Sequence, residues 1–258
     1  MTENERHRLI LDHLEIRQFA TVKDLNAILD VSPATIRRDM ARLHAAGQVR
    51  KVFGGIAAGN GTLTPEQLSA RPFAENERLG VDAKRMIAAE AEKLVRDGDA
   101  LIIHGGTTCF IFAQRLARRS VRIFTNSMPL AAALWDKGVC HLTLAGGELH
   151  REPGIVAATA DLTPEFYASK LFLGAQGIGA HGVMESHPLI VREAQKLLSR
   201  ADQVIVLADS RKFSIRARYT VYPLTRIGTL ITDDGLSDSD AKMLDEAGVK
   251  VIIAATME

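Results

Sequence analysis

The chain has 258 residues, 47% of them hydrophobic, with a formal net charge of +1 at pH 7. That length and apolar content can bury a substantial core, as one large domain or two unequal ones. No run approaches the roughly 20 apolar residues of a membrane span, and charged residues crowd positions 3–8 where a signal peptide would be apolar, so a cytoplasmic protein without membrane contact is expected. The only two cysteines, Cys109 and Cys140, lie far apart in apolar surroundings. They read as core thiols rather than a disulfide. The eight histidines are scattered and no Cys/His spacing suits zinc, so no metal or other cofactor is expected.

In chain order, Leu9, Ile10, Leu14 and Ile16 predict a first amphipathic helix, and Thr21 caps a second whose apolar positions are Val22, Leu25 and Ile28. A short turn through Asp30 and Val31 leads to Ser32, a good N-cap, followed by Pro33 at N1, where a missing N–H costs nothing. Ile36, Met40 and Leu43 then recur at spacings of four and three, an inward stripe on a third helix. Ser32, Ala34, Thr35, Arg37, Arg38 and Arg42 lie mostly off that stripe. Small and hydroxyl groups near a helix start, with guanidinium groups beside them, suit a DNA major groove: Arg forks onto guanine or binds phosphate, Thr bonds a base edge or a phosphate, and methyl groups meet thymine. After Gly47, a C′ residue, VRKVFGG alternates and ends in a Gly-Gly turn, as a small β-wing would, with Arg50 and Lys51 placed near phosphate or the minor groove.

The competing reading is a three-helix interaction module whose arginines form a solvated face. Charge placement argues against it. From Pro33 to Lys51 five basic residues face Asp39 alone, whereas residues 61–258 hold 23 basic and 24 acidic residues. A local basic cluster in a near-neutral chain is the electrostatic footprint of DNA binding.

The stretch AAGNGTLTPEQLSAR (57–71) lacks sustained periodicity and reads as a linker. The expected division is residues 1–57 for a winged helix-turn-helix DNA-binding domain, 58–72 for a linker and 73–258 for an α/β effector-binding domain. A helix is predicted from about Phe73, with Val81, Ile87 and Leu94 toward the core and Gly98 ending the run. Seven short apolar runs follow, at 100–104, 121–125, 141–146, 170–175, 204–208, 229–232 and 249–254. They alternate with helices predicted at Cys109–Arg118, Pro129–Lys137, Pro188–Ala201 and Asp238–Ala247. This alternation predicts a largely parallel sheet covered by helices on both faces.

Such sheets bind ligands at the carboxyl ends of their strands. His104, Gly105, Gly106, Thr107 and Thr108 follow the first strand, and their glycines and hydroxyls suit a phosphate or a polyhydroxy acid at a helix start. Thr125, Asn126 and Ser127 follow the second strand, Gly146 and Gly147 the third, and Gly174 onward the fourth. Each alone reads equally well as a tight turn, and their shared position after successive strands favours one pocket. Asn126 can bond hydroxyls, and Glu185 can accept from them.

SPATIRRDMARLHAAGQVRKVFGG resembles the winged helix-turn-helix signature of the DeoR family of bacterial transcription regulators. The blocks DGDALIIHGGTTCFIFAQRLA, VRIFTNSMPLA, LTLAGGELH, FLGAQGI, VIVLADSRKF and TLITDDG continue the resemblance in the family's order. It implies a regulator, usually a repressor of a carbohydrate or sugar-acid operon, which leaves its operator when a phosphorylated sugar-derived effector binds. It also implies an effector domain resembling sugar-phosphate isomerases. By the same resemblance Asp209 accepts from a sugar hydroxyl, Lys212 neutralises phosphate or carboxylate, and Lys196 is a further candidate cation. The family more often has Ser where Arg211 stands and an acidic residue where His104 stands. GGTTCF and AQKLL are similar to the ascorbate-utilisation repressor branch, whose effector is a phosphorylated sugar acid. Double-stranded operator DNA and a homodimer or homotetramer are the expected partners. The rival is an isomerase-like enzyme using Asp209, Glu185, His104 and Lys212 as acid-base groups; no catalytic role is assigned to them on the leading reading.

Overall fold

The computed structural model describes residues 2–254 except 18, 30, 47, 53–54, 59–72 and 159–165, and it leaves undescribed the side chains of residues 4, 15–17, 19, 23, 50, 52, 57–58 and 137. The chain forms two compact units, Met1–Pro65 and Glu66–Glu258. Nearly all of the expected linker, together with Gly47, Asp30, part of the Gly-Gly turn and the Ile16 side chain, lies outside the described residues.

The first unit runs α1 (Glu3–Arg17), β1 (Phe19–Thr21), α2 (Val22–Leu29), α3 (Pro33–Ala45), β2 (Val49–Val52) and β3 (Gly55–Ala58). The three strands form an antiparallel sheet in the order β1-β3-β2, so the wing hairpin gains a third strand from the residues before α2. Thr21 and Asp24 cap α2 reciprocally: Asp24 N–H donates to Thr21 Oγ1 at 3.1 Å and Thr21 N–H to Asp24 Oδ2 at 2.9 Å. Ser32 Oγ accepts from Thr35 N–H at 3.2 Å and starts α3. The core joins Ile10, Leu14, Leu25, Leu29, Ile36, Met40, Leu43, Val49 and Ile56. Two expected core positions are corrected, since Leu9 and Ile28 are 39% and 44% exposed. In each helix an i, i+4 pair, Ile10 with Leu14 and Leu25 with Leu29, takes the inward stripe and leaves the residue before its member at the solvent margin.

The second unit begins with α4 (Phe73–Arg78) and α5 (Val81–Glu92), two helices where one was expected. Gly80 breaks the run with a left-handed φ of +58°. There follow β4 (Ala100–Ile103), α6 (Thr107–Arg115), β5 (Arg122–Thr125), α7 (Met128–Lys137), β6 (His141–Leu144), β7 (Glu148–His150), β8 (Ile155–Ala157) and β9 (Ala168–Leu173). The chain continues through β10 (Gly177–Gly179), β11 (Gly182–Glu185), α8 (Pro188–Leu197), β12 (Ala201–Leu207), β13 (Tyr219–Tyr222), β14 (Thr229–Asp233), α9 (Asp238–Glu246) and β15 (Lys250–Ala254). All seven predicted apolar runs become one parallel sheet in the order β15-β14-β12-β9-β4-β5-β6. The β7-β8 hairpin and the antiparallel sheet β10-β11-β13 are additions that no apolar run announced.

Alternation along the strands divides two cores. Leu101, Ile103, Ile123, Phe172, Ile205, Leu207 and Ile231 pack on one face with Ile87, Cys109, Phe112, Leu130 and Leu134 from α5, α6 and α7. Ile102, Phe124, Leu171, Leu173, Val204, Val206 and Leu230 face the other side with Ala194, Leu197 and Leu244 from α8 and α9, and with Tyr222 of β13. Cys109 is buried in the first core, where burial raises its thiol to about 12, and Cys140 is half-buried; both are free. The strand order reverses direction between β4 and β9. Their carboxyl ends therefore flank the crevice where this architecture binds ligands.

Candidate DNA interface and effector site

On α3 the apolar stripe turns in and Ala34, Arg37, Arg38 and Arg42 stand exposed, with Thr35 half-exposed and Ser32 exposed ahead of them. Asp39 belongs to the inner face: it is 1% exposed and accepts from Arg6 Nε at 2.6 Å and Nη2 at 3.1 Å, with His7 Nε2 at 3.4 Å. Burial works against the Asp39 carboxylate, and the Arg6 fork together with His7 outweighs it, so its pKa lies below the usual range. The one acidic residue of the stretch is thus withdrawn from the outer face, which leaves that face more basic than the sequence count indicates. Arg42 is partly committed as well, being paired with Glu3 of α1. Lys51 is exposed on β2, and Arg50 precedes it in the same strand.

In the second unit, the residues expected to converge follow the carboxyl ends of neighbouring parallel strands. They divide by what their polar atoms already do. Thr125 Oγ1 donates to the Ile103 carbonyl at 2.7 Å and accepts from Ser127 N–H at 3.0 Å, and Ser127 Oγ caps α7 by accepting from Leu130 N–H at 3.4 Å. Those two hydroxyls, expected to meet an effector, instead tie β5 to β4 and start a helix, because both are buried where an unpaired hydroxyl would be costly.

His104 is 3% exposed; burial lowers its pKa to about 4, so the ring is neutral at physiological pH. Its Nε2 accepts from Asn126 Nδ2 at 3.3 Å. Asn126 Oδ1 is buried with no partner among the described residues, and Asn126 lines a small cavity with Phe124, Ala145, Glu193, Lys196 and Arg200. Lys196 reaches Glu193 Oε1 at 3.0 Å. Two expected residues, Asn126 and Lys196, thus line one cavity, and His104 is hydrogen-bonded to the first of them. Gly106 is the N-cap of α6 with a φ of +133°, Thr107 and Thr108 form the first turn of that helix, and Gly105, Gly146, Gly147 and Gly174 lie in the loops beyond β4, β6 and β9.

A second group surrounds Asp209, beyond β12. Asp209 is 1% exposed and receives a bidentate fork from Arg211, Nε to Oδ1 at 2.7 Å and Nη2 to Oδ2 at 2.9 Å. Burial opposes its ionisation, yet Arg211, Lys212 and Lys84 hold its pKa below the usual range. Arg211, which stands where the family more often has Ser, clamps Asp209 and donates to the Leu79 carbonyl at 3.4 Å. Asp233 at the end of β14 accepts from Ser210 N–H at 2.6 Å and Ser210 Oγ at 2.8 Å, which fixes this loop to the neighbouring strand. Glu185 Oε1 accepts from the N–H groups of Ser186 and His187 at 2.7 and 3.1 Å, and burial, the larger effect, keeps its pKa raised.

Two residues of this group were missed in the sequence. Lys84 is 2% exposed although it is a lysine, and its ammonium donates to the Asn76 carbonyl. The signal was available: Lys84, Ile87, Ala88 and Ala91 share one inward stripe at helical spacing, so a charged residue occupies a core register. Gly80 lies under Arg211, whose guanidinium occupies the space a Cβ would need. Gly80→Ala is expected to destabilise the protein by about 1–2 kcal/mol through its left-handed φ, and more if Arg211 is pushed off Asp209. A Tm lower by a few degrees in thermal unfolding is the expected result; an unchanged Tm would mean that the left-handed conformation at Gly80 carries no cost for alanine.

A winged helix-turn-helix unit with an arginine-bearing outer helix face, joined to an α/β unit with charged strand ends, defines a DNA-binding regulator carrying a sensor domain. Residues 6–61 match the DeoR-like helix-turn-helix domain and residues 80–234 the DeoR C terminal sensor domain. The chain is 30% identical over 253 residues to the HTH-type transcriptional regulator UlaR of Shigella dysenteriae serotype 1 (strain Sd197), covering 98% of this chain and 99% of that protein. The protein of the same name from Salmonella newport (strain SL254) matches at the same identity and coverage. The chain belongs to the DeoR family of transcription regulators, and it is a regulator rather than the isomerase-like enzyme that was the rival reading. Among solved structures, ribose 5-phosphate isomerase A from Methanocaldococcus jannaschii is similar with a TM-score of 0.40 and 19% identity, covering 52% of this chain and 54% of that one. The translation initiation factor eIF-2B of Pyrococcus horikoshii OT3 gives 0.38 and 24%, covering 52% and 48%. This chain spans about half of each, and likenesses at these scores carry no argument about chemistry. No described helix is long and apolar enough to cross a membrane.

Proposed function

We propose that the protein represses a carbohydrate or sugar-acid operon by holding operator DNA through α3 and the β2-β3 wing, and that a phosphorylated sugar-derived effector releases it. The observation that carries this reading is the pairing of an outwardly basic α3, with Asp39 turned inward, and a cluster in the α/β unit of Arg211 and Lys212, beyond the end of β12, with Lys84 of α5. Ser32, Ala34, Thr35, Arg37 and Arg38 are the groove-facing residues, with Arg42, Arg50 and Lys51 beside phosphate. The effector lies along the strand ends near His104–Thr108, Asn126, Gly146, Gly147, Gly174, Glu185, Lys196, Asp209 and Lys212. Its hydroxyls meet Asn126, Glu185 and Asp209. Domain bounds near residues 57 and 73 go with this reading.

Release requires that the effector bind one arrangement of the protein better than the DNA-bound one, since equal affinity for both would shift nothing. A homodimer or homotetramer follows from the limited surface one winged helix can bury, because pairing half-sites raises effective concentration. The test is a mobility-shift or anisotropy titration of the full-length protein on DNA flanking its own gene, with and without a panel of sugar phosphates and sugar-acid phosphates. Specific binding relieved by one panel member is the expected outcome. Specific binding that no member relieves would overturn the effector half, and no specific binding would overturn the operator half.

A further inference from the structure

Lys84 is the one lysine among the described residues that is buried. It projects from the first turn of α5, where its N–H donates to the Gly80 carbonyl at 3.0 Å, and its ammonium donates to the carbonyl of Asn76 in α4. Among the described residues no carboxylate lies within ion-pair distance of it. The charged groups that act on it are Lys212, Asp209 and Arg211 from the loop after β12 and Glu77 from α4, and Lys212 in turn acts on Glu185.

Asp209 is the single buried carboxylate of this group, and both its oxygens accept from Arg211. Arg211 thus engages both carboxylate oxygens, and Lys212 disfavours the Lys84 charge more than Asp209 favours it. A buried ammonium whose hydrogen-bond partner is a carbonyl, and on which Lys212 acts more strongly than either Asp209 or Glu77, is expensive to maintain. The same arrangement is favourable once an anion enters, because desolvated cations bind phosphate oxygens more strongly than solvated ones. The position agrees with this, since Gly80, under the Arg211 guanidinium, brings the start of α5 against the loop that carries Lys212.

We propose that Lys84 is a direct ligand of the effector's phosphate group, acting together with Lys212. The inference rests on the effector reading given above and deepens it by assigning the phosphate end of the ligand to the α5 side of the Asp209 loop. The hydroxylated remainder then extends toward the ends of β9 and β4. Because the Lys84 ammonium also holds the Asn76 carbonyl, an arriving phosphate competes with α4, the first described element after the residues that join the two units.

Burial, with Lys212 next, lowers the pKa of Lys84 to about 8, so the free protein still carries a largely protonated ammonium at pH 7. Calorimetric titration of the full-length protein with inorganic phosphate, with the relieving sugar phosphate, and with the corresponding unphosphorylated sugar or sugar acid tests the assignment. For the wild type, phosphate affinity is expected to weaken as pH rises past about 8, where free Lys84 loses its proton while the phosphate charge no longer changes. Lys84→Met is expected to bind both phosphate ligands at least tenfold more weakly, with no bend near that pH, and to unfold in one cooperative transition. Lys84→Gln serves if the methionine variant does not fold, and the wild-type pH profile stands without either. Binding by the variant within twofold of wild type, or a wild-type profile flat through pH 9, would overturn the Lys84 assignment while leaving the effector reading intact. Wild-type protein that binds no phosphate compound would overturn the effector reading, and tighter binding of the unphosphorylated compound would show that a carboxylate or hydroxyl group, not phosphate, is recognised.

Discussion

Arg37→Ala and Arg38→Ala are each expected to weaken operator binding by about ten- to a hundredfold, the loss of one good base contact of about 1–3 kcal/mol. Thermal stability should not change, because both side chains stand exposed on α3 while Ile36, Met40 and Leu43 hold the helix from its other face. Salt dependence separates the two possible roles. An arginine that reads a base loses affinity for the specific site and relaxes discrimination, whereas one that neutralises a phosphate weakens all DNA alike and lowers the slope of log K against log salt by about 0.9. Fluorescence anisotropy on specific and scrambled duplexes at several salt concentrations measures both quantities. Unchanged operator affinity in both variants would mean that α3 is not the recognition helix.

Asp209→Ala is expected to destabilise the second unit strongly. It removes a carboxylate that is 1% exposed and strands Arg211, whose side chain is 23% exposed, beside two further cations. Breaking a buried ion pair from one side costs about 3–5 kcal/mol, and the partial exposure of Arg211 places this case near the lower figure. Urea unfolding should show a lower midpoint with an unchanged slope. Acid dependence gives a second readout. The folded-state pKa of Asp209 is depressed, with burial opposing the shift and Arg211 and the two lysines outweighing it. Its stabilisation is therefore complete above the unfolded-state value, about 3.9, and is lost as pH falls through the lower folded value. The stability gap between wild type and Asp209→Asn should be wide above about pH 4 and narrow below it. Equal stability of wild type and Asp209→Ala at neutral pH would mean that the Arg211 fork contributes nothing.

Much of the architecture was legible in the chain because it rests on local periodicity. Ser32 and Pro33 announce the start of α3 through capping chemistry alone, and the seven apolar runs announce the strands through length and β-branched content. The single helix expected after Phe73 was wrong for a reason that is also local: Gly80 adopts a left-handed conformation that a periodic reading passes over. The β10-β11-β13 sheet was missed because Gly177–Gly179 and Gly182–Glu185 are short and glycine-rich, and they pair with Tyr219–Tyr222 some 35 residues on, a pairing that local pattern does not encode.

The candidate site divides along the same line. Residue types at strand ends indicated where polar chemistry gathers, since a parallel sheet brings all its carboxyl ends to one edge. Which of those groups remain available was decided by packing: Thr125 and Ser127 were absorbed into the fold, Arg211 was bound to Asp209, and Asp39 was drawn inward by Arg6. Capping, periodicity and local charge act between near neighbours, so the two-unit order, the basic outer face of α3 and the parallel α/β class could be read along the chain. That a lysine in a core register of α5 comes up to the loop after β12 could not be read in this way, because the two are more than 120 positions apart and are brought together by the order of the strands in the sheet.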